Sequence, residues 1–152
     1  MIKPKPGLAH GTVITNIAKI VFETNTPLWT PMVTNTLDLL SPSTTITTSN
    51  ATLTSTTFTV TWTAVDPGSG IEYYDVYRRD GTSGAWLAWV TNTVATSAAF
   101  TGVNHGVYQF YVVATDHVGN RMAAPPNAQL TATITQADDP RRRRVLLPQV
   151  MR

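Results

Sequence analysis

The chain has no cysteine in its 152 residues, and Asp, Glu, Lys and Arg together make up only 13%, about half the usual share. The first absence excludes disulfides, thiol catalysis and Cys-ligated metal, without fixing a compartment. No apolar run approaches the ~18 residues of a membrane span, so none is expected. The opening MIKPKPGLAHG lacks the apolar core of a secretory signal. No segment sustains a 3.6-residue apolar period, so essentially no helix is expected. Histidine is scarce too. His10, His105 and His117 show no metal-ligand spacing and no Ser-His-Asp pattern, and read as solvated loop residues. The acidic residues do not form a glycosidase-like pair.

What is present is threonine, at about a sixth of the chain. Thr is β-branched, stiff at χ1 and suited to strands. With 42% hydrophobic residues, the composition points to an all-β fold with a packed core. The basic residues are unevenly placed: Arg141, Arg142, Arg143, Arg144 and Arg152 lie at the end, while Ser41–Thr135 has three basic and five acidic residues. The net charge of +2 therefore describes the ends, not a basic face. The Arg run has no interleaved aromatics, so nucleic-acid binding is not expected.

Three zones follow: a strand arm with a Pro-containing linker (1–40), a series of short strands (41–135) and a basic tail (136–152). In the middle zone TFTVTWTA (57–64) alternates strictly, with Phe58, Val60, Trp62 and Ala64 on one face, as in a half-buried strand. Further strands are expected at 41–48, 71–79, 85–92, 97–102, 107–116 and 129–135, with Gly-, Pro- and Asn-rich turns between them. Seven short strands at this spacing predict a β-sandwich. Its expected core is Phe58, Val60, Trp62, Tyr74, Val76, Phe100, Tyr108, Phe110, Val112, Leu130 and Ile134.

Trp62 on the second strand, Tyr74-x-Val76 on the third and Tyr108-x-Phe110-x-Val112-x-Ala114 on the sixth resemble fibronectin type III-like and related immunoglobulin-like modules. The loops DPGSGI (66–71) and ATDHVGN (114–120) are similar to those of bacterial extracellular versions. The resemblance covers about 95 residues and implies an extracellular, surface location. It says little about function, because this sandwich hosts many roles. A second resemblance lies in GTVITNIAKIVFETNTP (11–27), which is similar to the closing strands of another bacterial surface sandwich domain. The tail RRRRVLLPQVMR resembles short basic-then-apolar C-termini of secreted bacterial surface proteins.

Residues 12–22 read as one long strand with Ile14, Ala18, Ile20 and Phe22 on one face and Val13, Ile17 and Val21 on the other. Both faces are apolar, and the module already has its full strand set. Such a strand is an aggregation hazard unless it is paired. Three outcomes are open: folding back on its own module, being part of a larger domain, or adding to a neighbouring copy by strand donation. The third, with 25–36 as a stiff linker setting the reach between subunits, leads to a self-assembling surface filament or layer and no enzymatic role. The runner-up is an accessory module of a larger secreted protein, recognising glycan or a protein partner. Trp29, Trp86 and Trp89 are the aromatic candidates for an interface or a sugar ring. Trp86 and Trp89 are three apart on one expected strand and so face opposite ways. Calcium is the one cofactor candidate: Asp66, Asp116 and Asn120 fall in loops at the same end of such a sandwich. Ordinary turn chemistry, in which Asp and Asn bond their own backbone, is the competing explanation.

Overall fold

The computed structural model describes residues 4–48 and 52–135; the basic tail expected at 136–152 lies outside them. The described chain is all-β, with twelve strands and no helix: β1 (Val13–Asn16), β2 (Lys19–Ile20), β3 (Leu28–Trp29), β4 (Val33–Thr36), β5 (Ser43–Thr48), β6 (Thr52–Leu53), β7 (Thr57–Val65), β8 (Ile71–Asp80), β9 (Leu87–Thr93), β10 (Ser97–Thr101), β11 (Val107–Asp116) and β12 (Leu130–Ile134). A three-stranded sheet runs β10-β7-β5, and a five-stranded sheet runs β6-β12-β11-β8-β9. All pairs are antiparallel except the short β6–β12 edge.

Alternation decides which face of the three-stranded sheet turns inward. In β7 every second residue is buried through Phe58, Val60 and Trp62. The threonines between them face water and pair across strands: the Thr45 and Thr63 hydroxyls lie 2.8 Å apart, and those of Thr57 and Thr101 2.9 Å. Cross-strand pairs of this kind stabilise a sheet modestly, by about 0.2–1 kcal/mol each. The threonine excess is thus a polar outer surface on strand-forming residues.

β11 lies between β12 and β8 and is buried along nearly its whole length. Tyr108, Phe110, Val112 and Ala114 enter one apolar cluster with Phe58, Val60, Trp62, Phe100, Tyr74, Val76 and Ile134, drawn from both sheets. Phe110 sits 5.1 Å from Phe100 and 5.4 Å from Trp89, ring centre to ring centre. Trp62 is buried with its indole N–H donated to the Ala95 carbonyl at 2.9 Å, so its polar atom has a partner. The Tyr108 hydroxyl accepts the Val103 N–H at 2.8 Å. Gly102 lies against that ring so closely that any Cβ there would overlap it. Leu130, expected in the core, only borders it, whereas Ile46, Leu53 and Ala132 are buried. Leu53 is carried in by β6, a two-residue strand too short to show a period.

The N-terminal segment departs from expectation. Residues 12–22 do not form one unbroken strand without a partner. They form β1 and β2, which pair antiparallel with β4 and β3. The segment expected as a stiff linker is therefore the return strand of a hairpin. Its turn is closed by the Asn25 N–H on the Phe22 carbonyl at 2.9 Å. The register slips by one residue between Asn16↔Val33 and Lys19↔Trp29. Pro31 lies in the interruption and has no N–H to give a ladder. Across that break Thr30 replaces the regular pattern: its hydroxyl accepts the Ala18 N–H, and its own N–H donates to the Ala18 carbonyl, both at 2.9 Å.

Phe110→Ala is expected to lower stability by about 3–5 kcal/mol, the cost of emptying a full aromatic site. Phe22→Ala, on the exposed hairpin, is expected to change it by less than about 0.5 kcal/mol. Urea unfolding of both variants checks the contrast.

Candidate functional site

Among the described residues, the hairpin meets the body through hydrogen bonds at its base, around Asp38. Gly11 donates to the Leu37 carbonyl at 2.8 Å and Leu37 to Thr12 at 2.9 Å, carrying the β1–β4 ladder down to its base. Asp38 follows directly. Opposite it stand the loop after β7, Asp66-Pro67-Gly68-Ser69-Gly70, and the loop after β11, Asp116 to Asn120. Short loops at one end of two packed sheets bring both within reach of Asp38. One carboxylate oxygen from each of Asp38, Asp66 and Asp116 lies within 4.8 Å of the others.

Each carboxylate is held by backbone donors. Asp66 Oδ2 accepts the Gly68 and Gly70 N–H groups at 3.1 and 2.7 Å. Asp116 Oδ1 accepts those of Val118 and Asn120 at 3.0 and 2.8 Å. Asp38 reaches across from the hairpin: its Oδ2 accepts the Ser69 N–H at 2.6 Å and its Oδ1 the Leu40 N–H at 3.1 Å. His10 Nδ1 stands 3.3 Å from the same Oδ1 and also accepts the Leu39 N–H. Asp116 is fully buried and Asp38 nearly so. Burial by itself would raise the Asp38 pKa. Hydrogen bonds from the Ser69 hydroxyl and amide and from the Leu40 amide outweigh it and hold the carboxyl below its ordinary value. Gly68 packs so tightly on the Asp38 carboxylate that a Cβ would overlap it. A cleft of about 280 Å³ opens beside this junction, lined by His10, Gly11, Thr36, Asp38, Pro67, Gly68 and Ser69.

Of the calcium candidates, Asp66 and Asp116 do come together. Asn120 joins them as a donor rather than as an oxygen ligand: its Nδ2 donates to Asp116 Oδ2 at 2.8 Å and to the Asp38 carbonyl at 3.4 Å. Asp38 was missed, because it lay in a segment expected as a linker. Its one signal is an acid among apolar neighbours in Leu37-Asp38-Leu39-Leu40.

The aromatic candidates separate. Trp89 is an inner residue, in ring contact with Trp62, Phe100 and Phe110, so it offers nothing to an external sugar. Trp86 precedes β9 and lies on the opposite side, edge-on to Tyr111 at 4.6 Å with the Arg79 guanidinium 4.5 Å from its ring centre. Those neighbours also explain why Tyr111 is buried on the outer face. Trp29 stays exposed, with Lys19 Nζ 5.6 Å from its ring centre. Of the expected assembly strand, Ile14 is half-buried and Ala18 exposed. Val13, Ile17, Ile20, Val21 and Phe22 are 43–59% exposed, and Leu28, Trp29, Met32 and Val33 on the return strand are 57–64% exposed. No helix among the described residues is long and apolar enough to cross a membrane.

A scan against protein-family models finds no match, and a search of the curated proteins finds no significant relative.

Gly68→Ala is expected to displace Asp38 and loosen the junction, at a cost of about 1–3 kcal/mol. Amide hydrogen exchange should quicken at Gly11, Leu37 and Ser69 while Phe110 and Val112 keep their protection. Uniform loss of protection across both sheets would contradict a locally separable joint.

Proposed function

We propose that this chain is a non-enzymatic, extracellular structural module of a bacterial surface, whose N-terminal hairpin joins it to neighbouring copies in a filament or layer. The observation that carries this is the exposed apolar surface of the hairpin. Nine large apolar side chains stand more than 40% exposed on a two-stranded ribbon. A two-stranded ribbon is marginal alone in water, and an apolar surface of this extent marks an interaction site.

The proposed build is a seven-stranded fibronectin III/immunoglobulin-like sandwich. Its strands are β5, β7 and β10 against β8, β9, β11 and β12, with β6 as a short addition to the edge. Trp62 in the core and the Tyr108 hydroxyl bonded back to Val103 support it, since a tyrosine near the start of the penultimate strand, bonded upstream, is a mark of such folds. The bacterial surface location rests on the resemblance of the DPGSGI and ATDHVGN loops.

Because the hairpin strands already pair with each other, a single donated strand is replaced by the ribbon as a unit. Its unpaired edges add to a neighbour's sheet edge, and its apolar faces are covered in the contact. Such a contact between different surfaces of successive copies is heterologous, and it gives a filament when it does not close into a ring.

A second reading is an accessory glycan- or protein-binding module of a longer secreted protein. It is favoured by the similarity of residues 11–27 to the closing strands of another surface domain, whose body would then cover the same apolar face. Sedimentation velocity and electron microscopy of the purified chain separate the two. Concentration-dependent assembly, abolished by Phe22→Lys with Leu28→Lys, is expected. A monodisperse monomer at every concentration would overturn self-assembly, and glycan binding lost in Trp29→Ala would favour the second reading.

A further inference from the structure

We propose that the surface receiving the hairpin is the β9 edge of a second copy of this chain, where the Arg79 guanidinium takes the Glu23 carboxylate from the neighbour's hairpin turn. The inference rests on the filament reading and gives that contact its two halves.

Arg79 is a fixed fork without an acid to hold. On the outer face of the five-stranded sheet, Thr131, Gln109 and Arg79 stand in one row across β12, β11 and β8. Gln109 Nε2 donates to the Thr131 hydroxyl at 3.0 Å, and Arg79 Nε donates to Gln109 Oε1 at 2.8 Å. The guanidinium lies 4.5 Å from the Trp86 ring centre, and Trp86 in turn packs against Tyr111. A planar guanidinium fixed through Nε and an aromatic ring offers its two terminal nitrogens to a carboxylate with little further loss of freedom. The other two basic residues of the body are neutralised, Arg78 by Asp80 and Arg121 by Asp75. Among the described residues no carboxylate pairs with Arg79.

The hairpin carries the complement. Between Gly11 and Leu37 the only acid is Glu23. It is exposed on the turn beside Phe22, and it makes no ion pair among the described residues. Its φ is +47°, a left-handed conformation that glycine or asparagine adopts at lower cost, so the backbone of the turn gives no reason for a glutamate there. One charge is thus left over on each part, and each has an aromatic ring at its side: Phe22 next to Glu23, and Trp86 next to Arg79. Leu87, which opens β9 directly after Trp86, is 53% exposed. β9 is an edge of its sheet, so unpaired backbone for an added ribbon lies beside the fork.

The positions make the contact head-to-tail. The hairpin is anchored where β8 begins, by the Ser69 amide on Asp38 and by Asn120 on the Asp38 carbonyl. Arg79 stands near the other end of β8, about 25 Å along the strand. Two different surfaces, set at opposite ends of one sheet, join successive copies heterologously, as an open filament requires.

The test applies sedimentation velocity and electron microscopy to the full chain, to Glu23→Arg, to Arg79→Glu and to an equimolar mixture of the two variants. Wild-type assembly is expected to weaken as salt rises. Each variant alone sets like charge against like, and is expected to need about tenfold more protein to assemble. In the mixture every contact is again between opposite charges, native at one junction and reversed at the next. Alternating filaments are therefore expected at the wild-type concentration. Should Arg79→Glu fail to fold, Arg79→Gln takes its place in a double-mutant cycle. Combined with Glu23→Gln it is expected to assemble no more weakly than either single variant. Wild-type assembly left unchanged by either charge reversal, or a mixture of folded variants that does not recover, would overturn this contact and leave the filament reading standing; so would additive losses in the cycle. A wild-type chain that stays monomeric at every concentration would overturn both.

Discussion

Everything in the sandwich-like body depends on the packing of aromatic rings between the two sheets, with Phe110 at the centre. Its ring is fully buried and meets Phe58, Phe100 and Trp89 at 5.1–6.3 Å. Phe58 and Phe100 belong to the three-stranded sheet, Phe110 and Trp89 to the five-stranded one. The rings therefore set the separation and mutual angle of the sheets, because an interior at crystal-like density leaves little freedom to slide. Once the sheets are fixed, so are the ends of β7 and β11. The loops carrying Asp66 and Asp116 grow from those ends, so the geometry of the acidic junction is inherited from the core.

The hairpin obeys a different physics. It is built from local backbone pairing, interrupted at Pro31, and it buries little of its own apolar surface. Its attachment is polar: Asp38 on the Ser69 amide, His10 on the Leu39 amide, and the tight approach of Gly68. A body held by rings and an appendage held by a few charge-assisted contacts differ in how easily each opens. Local opening follows the density of buried apolar contacts, and the hairpin is poor in them.

The strands of the body were legible in the sequence because one face of each is buried and the side-chain period is two. TFTVTWTA and VYQFYVVATD state their inward faces outright. Legibility failed where that period is missing. β6 has two residues. The outer face of β11 is buried by Tyr77 and Trp86, which no alternation along β11 announces. Residues 12–22 have two apolar faces and so predict a strand without saying what lies beside it. The partner residues, 28–36, hold two of the hairpin's prolines near them and read as a linker because proline usually interrupts pairing; here one proline falls in the break and the ladder resumes beyond it.

By itself, then, the sequence determined the all-β class, the positions of the longer strands of the body and most of the core. Each of these follows from local alternation and from turn residues placed between strands. Only the tertiary structure decided that the N-terminal segment pairs in cis, that Trp89 faces inward while Trp86 faces out, and that Asp38 completes the acidic junction. The reason is common to all three. Which partner a strand finds, which of two opposed faces is covered, and which distant loop a side chain meets are settled by contacts between residues far apart in the chain, and no local pattern records them.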